Sequence, residues 1–109
     1  MNLRAFHIQP QDNVATLLDG GSGLVAVFGA SAQEVGLRQP IERGHKVALR
    51  DIPAGAAVLK YGVRIGHATQ PIQAGDWVHL HNLASDLDER SGSLDLHSGA
   101  PTDTAAAYV

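Results

Sequence analysis

Ile41-Glu42-Arg43-Gly44-His45-Lys46-Val47, Ile52-Pro53-Ala54-Gly55-Ala56-Ala57-Val58 and Ile72-Gln73-Ala74-Gly75-Asp76-Trp77-Val78 are three copies of one pattern, Ile-x-x-Gly-x-x-Val. A glycine held between two aliphatic residues at this spacing describes a tight turn. Glycine supplies a positive φ at little steric cost, and the flanking Ile and Val pin the two arms into a core. The pattern predicts turns centred near Gly44, Gly55 and Gly75, with Val47, Val58 and Val78 buried beside them. Residues that differ between the copies are those available for chemistry: His45 and Lys46 in the first, Ala56 and Ala57 in the second, Asp76 and Trp77 in the third.

The rest of the chain has the same texture. Short apolar groups, LVAVFG (24–29), QEVGLR (33–38), KVALRDI (46–52), AVLKYGVRIG (57–66) and DWVHLHNL (76–83), are divided by Gly, Pro and Asp. No helical period is sustained over a dozen residues, so the expectation is all-β. One local exception stands at Asp12, which is placed to cap a short helical turn over residues 12–18 before the glycines at 20, 21 and 23 stop it. KYGVRIG reads as an alternating strand with Val63 and Ile65 inward and Arg64 in solvent. From Ser85 onward the chain is rich in Ser, Asp, Gly and Ala, too poor in large apolar residues to offset its ordering entropy alone. The expected organisation is one domain over residues 1–84 and a polar tail over 85–109.

Composition narrows the function classes. A chain of 109 residues, 44% hydrophobic, supports one modest core. Its formal charge of −3, without long runs of one sign, offers no footprint for a phosphate backbone or an anionic membrane. Absence of cysteine removes disulfides, thiolate metal sites and a thiol nucleophile. The N-terminal stretch lacks the basic-then-apolar order of a secretion signal, and no stretch approaches the ~20 apolar residues of a membrane span. A cytoplasmic protein is expected. No phosphate-cradling glycine loop and no G-x-S-x-G elbow is present.

Candidate chemistry centres on Trp77-Val78-His79-Leu80-His81-Asn82. Strand alternation would send Trp77, His79 and His81 to one face, the two imidazoles about 6.6 Å apart along the strand. Two histidines do not complete a metal site, which needs a third ligand and supporting hydrogen bonds. His45, on a sibling turn, is the candidate third member. The bland alternative is a solvated sheet face. Lys46, Lys60 and Arg64 are the nearest cations for an acidic ligand. Tyr61 is either a hydrogen-bond donor or a packing residue. His7, His67 and His97 have no partner pattern and are read as structural or solvent histidines. A cupin-like metal barrel also places His-x-His on a strand. It would continue with a nearby Glu and a second Gly/His motif, whereas after His81 this chain offers Asp86 and Glu89 in a polar stretch and then a tail whose only histidine is His97.

Taken together, DNVA (12–15), GHKVALRDI (44–52), Gly55, V-x-KYG-x-x-IG (58–66), I-x-AG (72–75) and VHLHN (78–82) resemble the small subunit or N-terminal region of the altronate/galactarate dehydratase family, which includes sulfolactate sulfo-lyase. The resemblance spans residues 12 to 82 and is weakest from Asp19 to Gln39. It implies a SAF domain, the β-clip fold of bent β-hairpins. It further implies elimination of water, or of sulfite, from a small acidic sugar-derived substrate, a divalent metal such as Fe2+ or Mn2+, and a large dehydratase-like catalytic subunit as partner. On the same basis His45, His79 and His81 would be catalytic or metal-ligating, converging on one exposed concave face, and Lys46, Lys60, Tyr61 and Asn82 would hold substrate. A different class stays open, a non-catalytic SAF module binding a sugar-like ligand, as in the antifreeze-like domain of sialic acid synthases.

Overall fold

All three copies of the repeat fold as the same turn in the structure, a computed structural model that describes residues 2–86. Gly44, Gly55 and Gly75 have φ of 87°, 86° and 91°, a region that costs other residues strain. A main-chain bond closes each turn: His45 N–H donates to Glu42 O, Ala56 N–H to Pro53 O and Asp76 N–H to Gln73 O. Docking is also shared. The glycine N–H donates to a neighbouring strand residue (Leu17, Ala68 or Ala48), whose own N–H donates to the carbonyl just after the glycine. Val47, Val58 and Val78 are fully buried and Ile41, Ile52 and Ile72 nearly so, as the pattern predicts.

Nine strands result among the described residues: β1 (Leu3–His7), β2 (Val14–Leu17), β3 (Leu24–Gly29), β4 (Gln33–Gly36), β5 (Lys46–Ala48), β6 (Ala57–Lys60), β7 (Val63–Ala68), β8 (Trp77–Val78) and β9 (Leu83–Ala84). They form a six-stranded sheet, β4-β3-β1-β2-β5-β8, and a three-stranded sheet, β6-β7-β9. Of these strands only β1 and β3 pair in parallel.

Two cores lie on opposite faces of β2, β5 and β8. Ala15, Leu17 and Val47 join Ala5, Val25, Val27, Val35 and Ile41 in the first. Nearly all of these belong to the large sheet, which must therefore curl to enclose them. Val14, Ala48 and Val78 face the other way and meet Val58, Ala68 and Leu83 of the small sheet, with Ile52 and Ile72, in the second. Neighbouring residues of β5 thus serve different cores.

Three local readings change. Residues 12–18 contain strand β2 and no helical turn, because Asp12 caps something distant: its carboxylate accepts the N–H groups of Gln9, Tyr61 and Gly62. Tyr61 and Gly62, at φ 59° and 74°, form the two-residue tip of the β6–β7 hairpin, where both positions need positive φ. Asn13 continues the clamp, donating to Ala57 O and accepting from Leu59 N–H. Val63 is exposed and does not face inward, since a register shift at Val58/Leu59 alters the phase of the hairpin. The folded unit also passes residue 84. Ser85 is buried, and Asp86 pairs with Arg64 and His67. The remainder of the expected tail, with His97, lies outside the described residues. Among those described, no helix is long and apolar enough to cross a membrane.

Candidate active site

The first turn and the end of β8 meet because β5 pairs with β8, Lys46 opposite Val78 and Val47 opposite Trp77. This register carries His45 to the Trp77 side chain. The indole N–H donates to His45 Nδ1 at 3.1 Å, with ring centroids 5.6 Å apart and the planes at 66°. His79 stacks on Trp77 at 5.1 Å, nearly parallel at 10°, and meets His45 edge-on at 5.2 Å. His81 lies 5.0 Å from Trp77 at a tilt of 44°. All three expected histidines are therefore gathered around one indole, although more than thirty positions separate His45 from the other two.

The route differs from simple alternation. Strand β8 ends at Val78, and residues 79–82 turn back toward β9. His79 O accepts the N–H groups of Asn82 and Leu83, while the Asn82 side chain accepts His79 N–H and donates to Trp77 O. Asn82 is buried, and its amide is engaged with the main chain of the site. Its side chain thereby ties the main chain of His79 to that of Trp77.

A pocket of about 770 Å³ opens beside His45, Trp77 and His79, bounded also by Gly20, Gly21, Ile41, Glu42 and Arg43. Arg43 is the cation at this wall, and sequence reasoning misses it because it weighs only the residues following the turn glycine. Lys46 and Lys60 do not line the pocket. Lys46 is buried and opposite Val78, so it points toward the second core. Burial, and then the charge of Lys60, pull its ammonium down to about 8. Lys60 lies over the exposed Tyr61 ring, 4.9 Å from its centre. The lysine pair and Tyr61 thus belong to the hairpin side of the sheet and the histidines to the other. Arg64 holds Asp86 together with His67, and His7 is an interior histidine bonded to Ser31 and Asp12 O.

The donor set can be tested against the divalent ion implied by the resemblance. Among the described residues, no three His, Asp or Glu side chains are placed to share one ion. His45 is already committed: an indole nitrogen only donates, so Nδ1 must accept and the neutral ring carries its proton on Nε2. That leaves neither nitrogen with a lone pair for a metal. These residues do not fit the ion as a set.

Comparison with known proteins follows the same outline. Residues 3–86 match the family model described as the altronate/galactarate dehydratase SAF domain. Altronate dehydratase of Escherichia coli (strain K12) is 46% identical over 83 residues, covering 75% of this chain and 16% of that protein. Altronate dehydratase of Bacillus subtilis (strain 168) is 37% identical over 97 residues, 86% of this chain and 18% of that protein. The (2R)-sulfolactate sulfo-lyase subunit alpha of Chromohalobacter salexigens is 43% identical over 47 residues, covering 43% of this chain and 50% of that one. The chain spans about a sixth of the length of these altronate dehydratases.

Proposed function

Because the chain belongs to the altronate/galactarate dehydratase SAF-domain family, we propose that it supplies one wall of the active site of a cytoplasmic sugar-acid dehydratase whose remaining walls come from a large catalytic chain. The observation that carries this reading is the cluster of His45, His79 and His81 around Trp77 beside an open pocket. Elimination requires removal of the proton on the carbon next to the carboxylate and departure of the hydroxyl on the following carbon as water. Imidazoles suit both proton transfers. His79, held by Asn82 and stacked on Trp77, and His81, exposed beside it, are the proton carriers in this reading. Any ion used by the reaction would draw its ligands mainly from the large chain.

Physical grounds support a partner in this reading. Elimination needs a cleft closed against water, and this pocket is open on one side to solvent. The outer face of β1 and β3 also leaves Phe6 and Phe28 exposed against one another, with Leu24 in phase, an apolar surface that the large chain would cover. Sulfo-lyase activity is the second reading, supported by the likeness to a subunit of comparable length.

Co-expression with a large dehydratase chain, followed by assays on altronate, galactarate and sulfolactate, tests the proposal. Turnover should appear only in the assembled enzyme and fall at least tenfold in His79→Ala and His81→Ala. Turnover by this chain alone, or full activity of the assembled double variant, would overturn it.

A further inference from the structure

We propose that the pocket beside His45 is an oxyanion site, in which Arg43 and the Nε2–H of His45 are the donors and the ligand is the carboxylate end of a small polyhydroxy acid. This deepens the dehydratase reading and rests on it for the choice of acid.

The first support is the fixed tautomer of His45. With Nδ1 accepting from Trp77 at 3.1 Å, the remaining polar group on the ring is an N–H. His45 therefore meets a ligand as a donor, neither as a base nor as a metal ligand. The second support is the position of Arg43 on the same wall. Asp19 is within reach of its charge, yet both Asp19 oxygens are already taken by Arg4, at 2.8 and 3.1 Å. A guanidinium fork matches a carboxylate in two parallel bonds. The third is the rest of the wall. Trp77 and Ile41 offer apolar surface for a carbon chain, and Glu42 offers an acceptor for hydroxyl groups. An acid that also carries hydroxyl groups can use both Arg43 and Glu42, whereas an apolar anion or a neutral polyol uses only one of them.

The test uses the full chain with its histidines labelled for NMR. Long-range proton–nitrogen spectra should show His45 protonated at Nε2 and bare at Nδ1. A ring protonated at Nδ1 overturns the proposal. Titration with galactarate should shift the His45 and Trp77 ring signals, while galactitol, its neutral polyol counterpart, should not at tenfold higher concentration. Arg43→Gln should weaken galactarate binding at least tenfold, and Arg43→Lys less. Equal binding of galactitol, unchanged binding by Arg43→Gln, or no response to saturating galactarate each refutes it. Mn2+ that broadens the His45 ring before any other histidine would make it a ligand and also refute it. These measurements need no partner chain. If binding behaves as expected and the assembled enzyme eliminates nothing, the oxyanion site stands and the dehydratase reading falls. If the assembled enzyme turns over and galactarate leaves His45 and Trp77 unmoved, the dehydratase reading stands and the oxyanion site falls.

Discussion

Asp12 Oδ1 receives the main-chain N–H of Gly62 at 2.8 Å, from fifty positions away in the chain. Its other oxygen accepts from Gln9 and Tyr61, so one buried carboxylate ties the β1–β2 connection to the tip of the β6–β7 hairpin. Asp12→Ala would strand three N–H groups. The expected loss is about 3 kcal/mol of stability, because each unsatisfied buried donor costs about 1–3 kcal/mol where water cannot replace the partner. Asp12→Asn, which keeps one acceptor oxygen, should lose less. Denaturant midpoints check the order, and faster amide exchange at Tyr61 and Gly62 should accompany it.

The shared turn predicts an unequal response to one substitution. At Gly55 an added Cβ meets nothing within 4 Å, so Gly55→Ala should cost only the left-handed backbone penalty of roughly 1–2 kcal/mol. At Gly75 the same atom would collide with Gly36 O, and the β4 end must move. Gly75→Ala should therefore be clearly more damaging than Gly55→Ala. Equal thermal midpoints for the two variants would contradict the packing of the third turn on Gly36.

Lys46 predicts a pH dependence. Its ammonium lies near 8 in the fold against 10.5 ordinarily, so between these values the unfolded chain binds the extra proton and stability rises with pH. Below about pH 8 both states are protonated and burial of the charge weighs fully against the fold. Relative to the parent, Lys46→Met should show its largest stability advantage below pH 8, shrinking toward pH 10.5. Unfolding free energies of the two proteins across that range provide the check, and a constant difference would refute the shift.

Asn82 should behave as a positioning residue. Asn82→Ala removes the acceptor for His79 N–H and the donor to Trp77 O, with an expected stability loss of roughly 1–3 kcal/mol. In the assembled enzyme kcat should fall while KM changes little, because His79 loses its alignment and the pocket wall near Arg43 is untouched. Asn82→Asp keeps the acceptor for His79 and should recover part of kcat.

The legible parts of this molecule are those encoded locally. Ile-x-x-Gly-x-x-Val carries both requirements of its turn, a positive φ and two buried anchors, within seven residues, and all three copies fold as read. Asp12 misleads because a capping signal looks the same whether the N–H groups it satisfies lie three residues ahead or fifty. Strand β1 is hidden because its inward positions include His7, an imidazole buried through bonds to Ser31 and Asp12 O. The histidine cluster follows from the sequence only through the wrong geometry: alternation fails after Val78, yet the tight turn held by Asn82 returns His81 to Trp77. Arg43 is not legible because only the β5–β8 register and the curl of the large sheet reveal which side of the turn borders the pocket. The same register separates Lys46 from His45, adjacent in sequence and assigned to opposite faces.

Between the turn that presents His45 and the one that presents Trp77, the chain holds a third with the same backbone and no chemical groups, Pro53-Ala54-Gly55-Ala56-Ala57. Scaffold and reactive groups are consequently separable here: main-chain docking and the Ile and Val anchors make the turn, and the intervening side chains are cargo. The second turn is a built-in blank, onto which Glu-Arg-Gly-His could be written without asking the fold for a new shape.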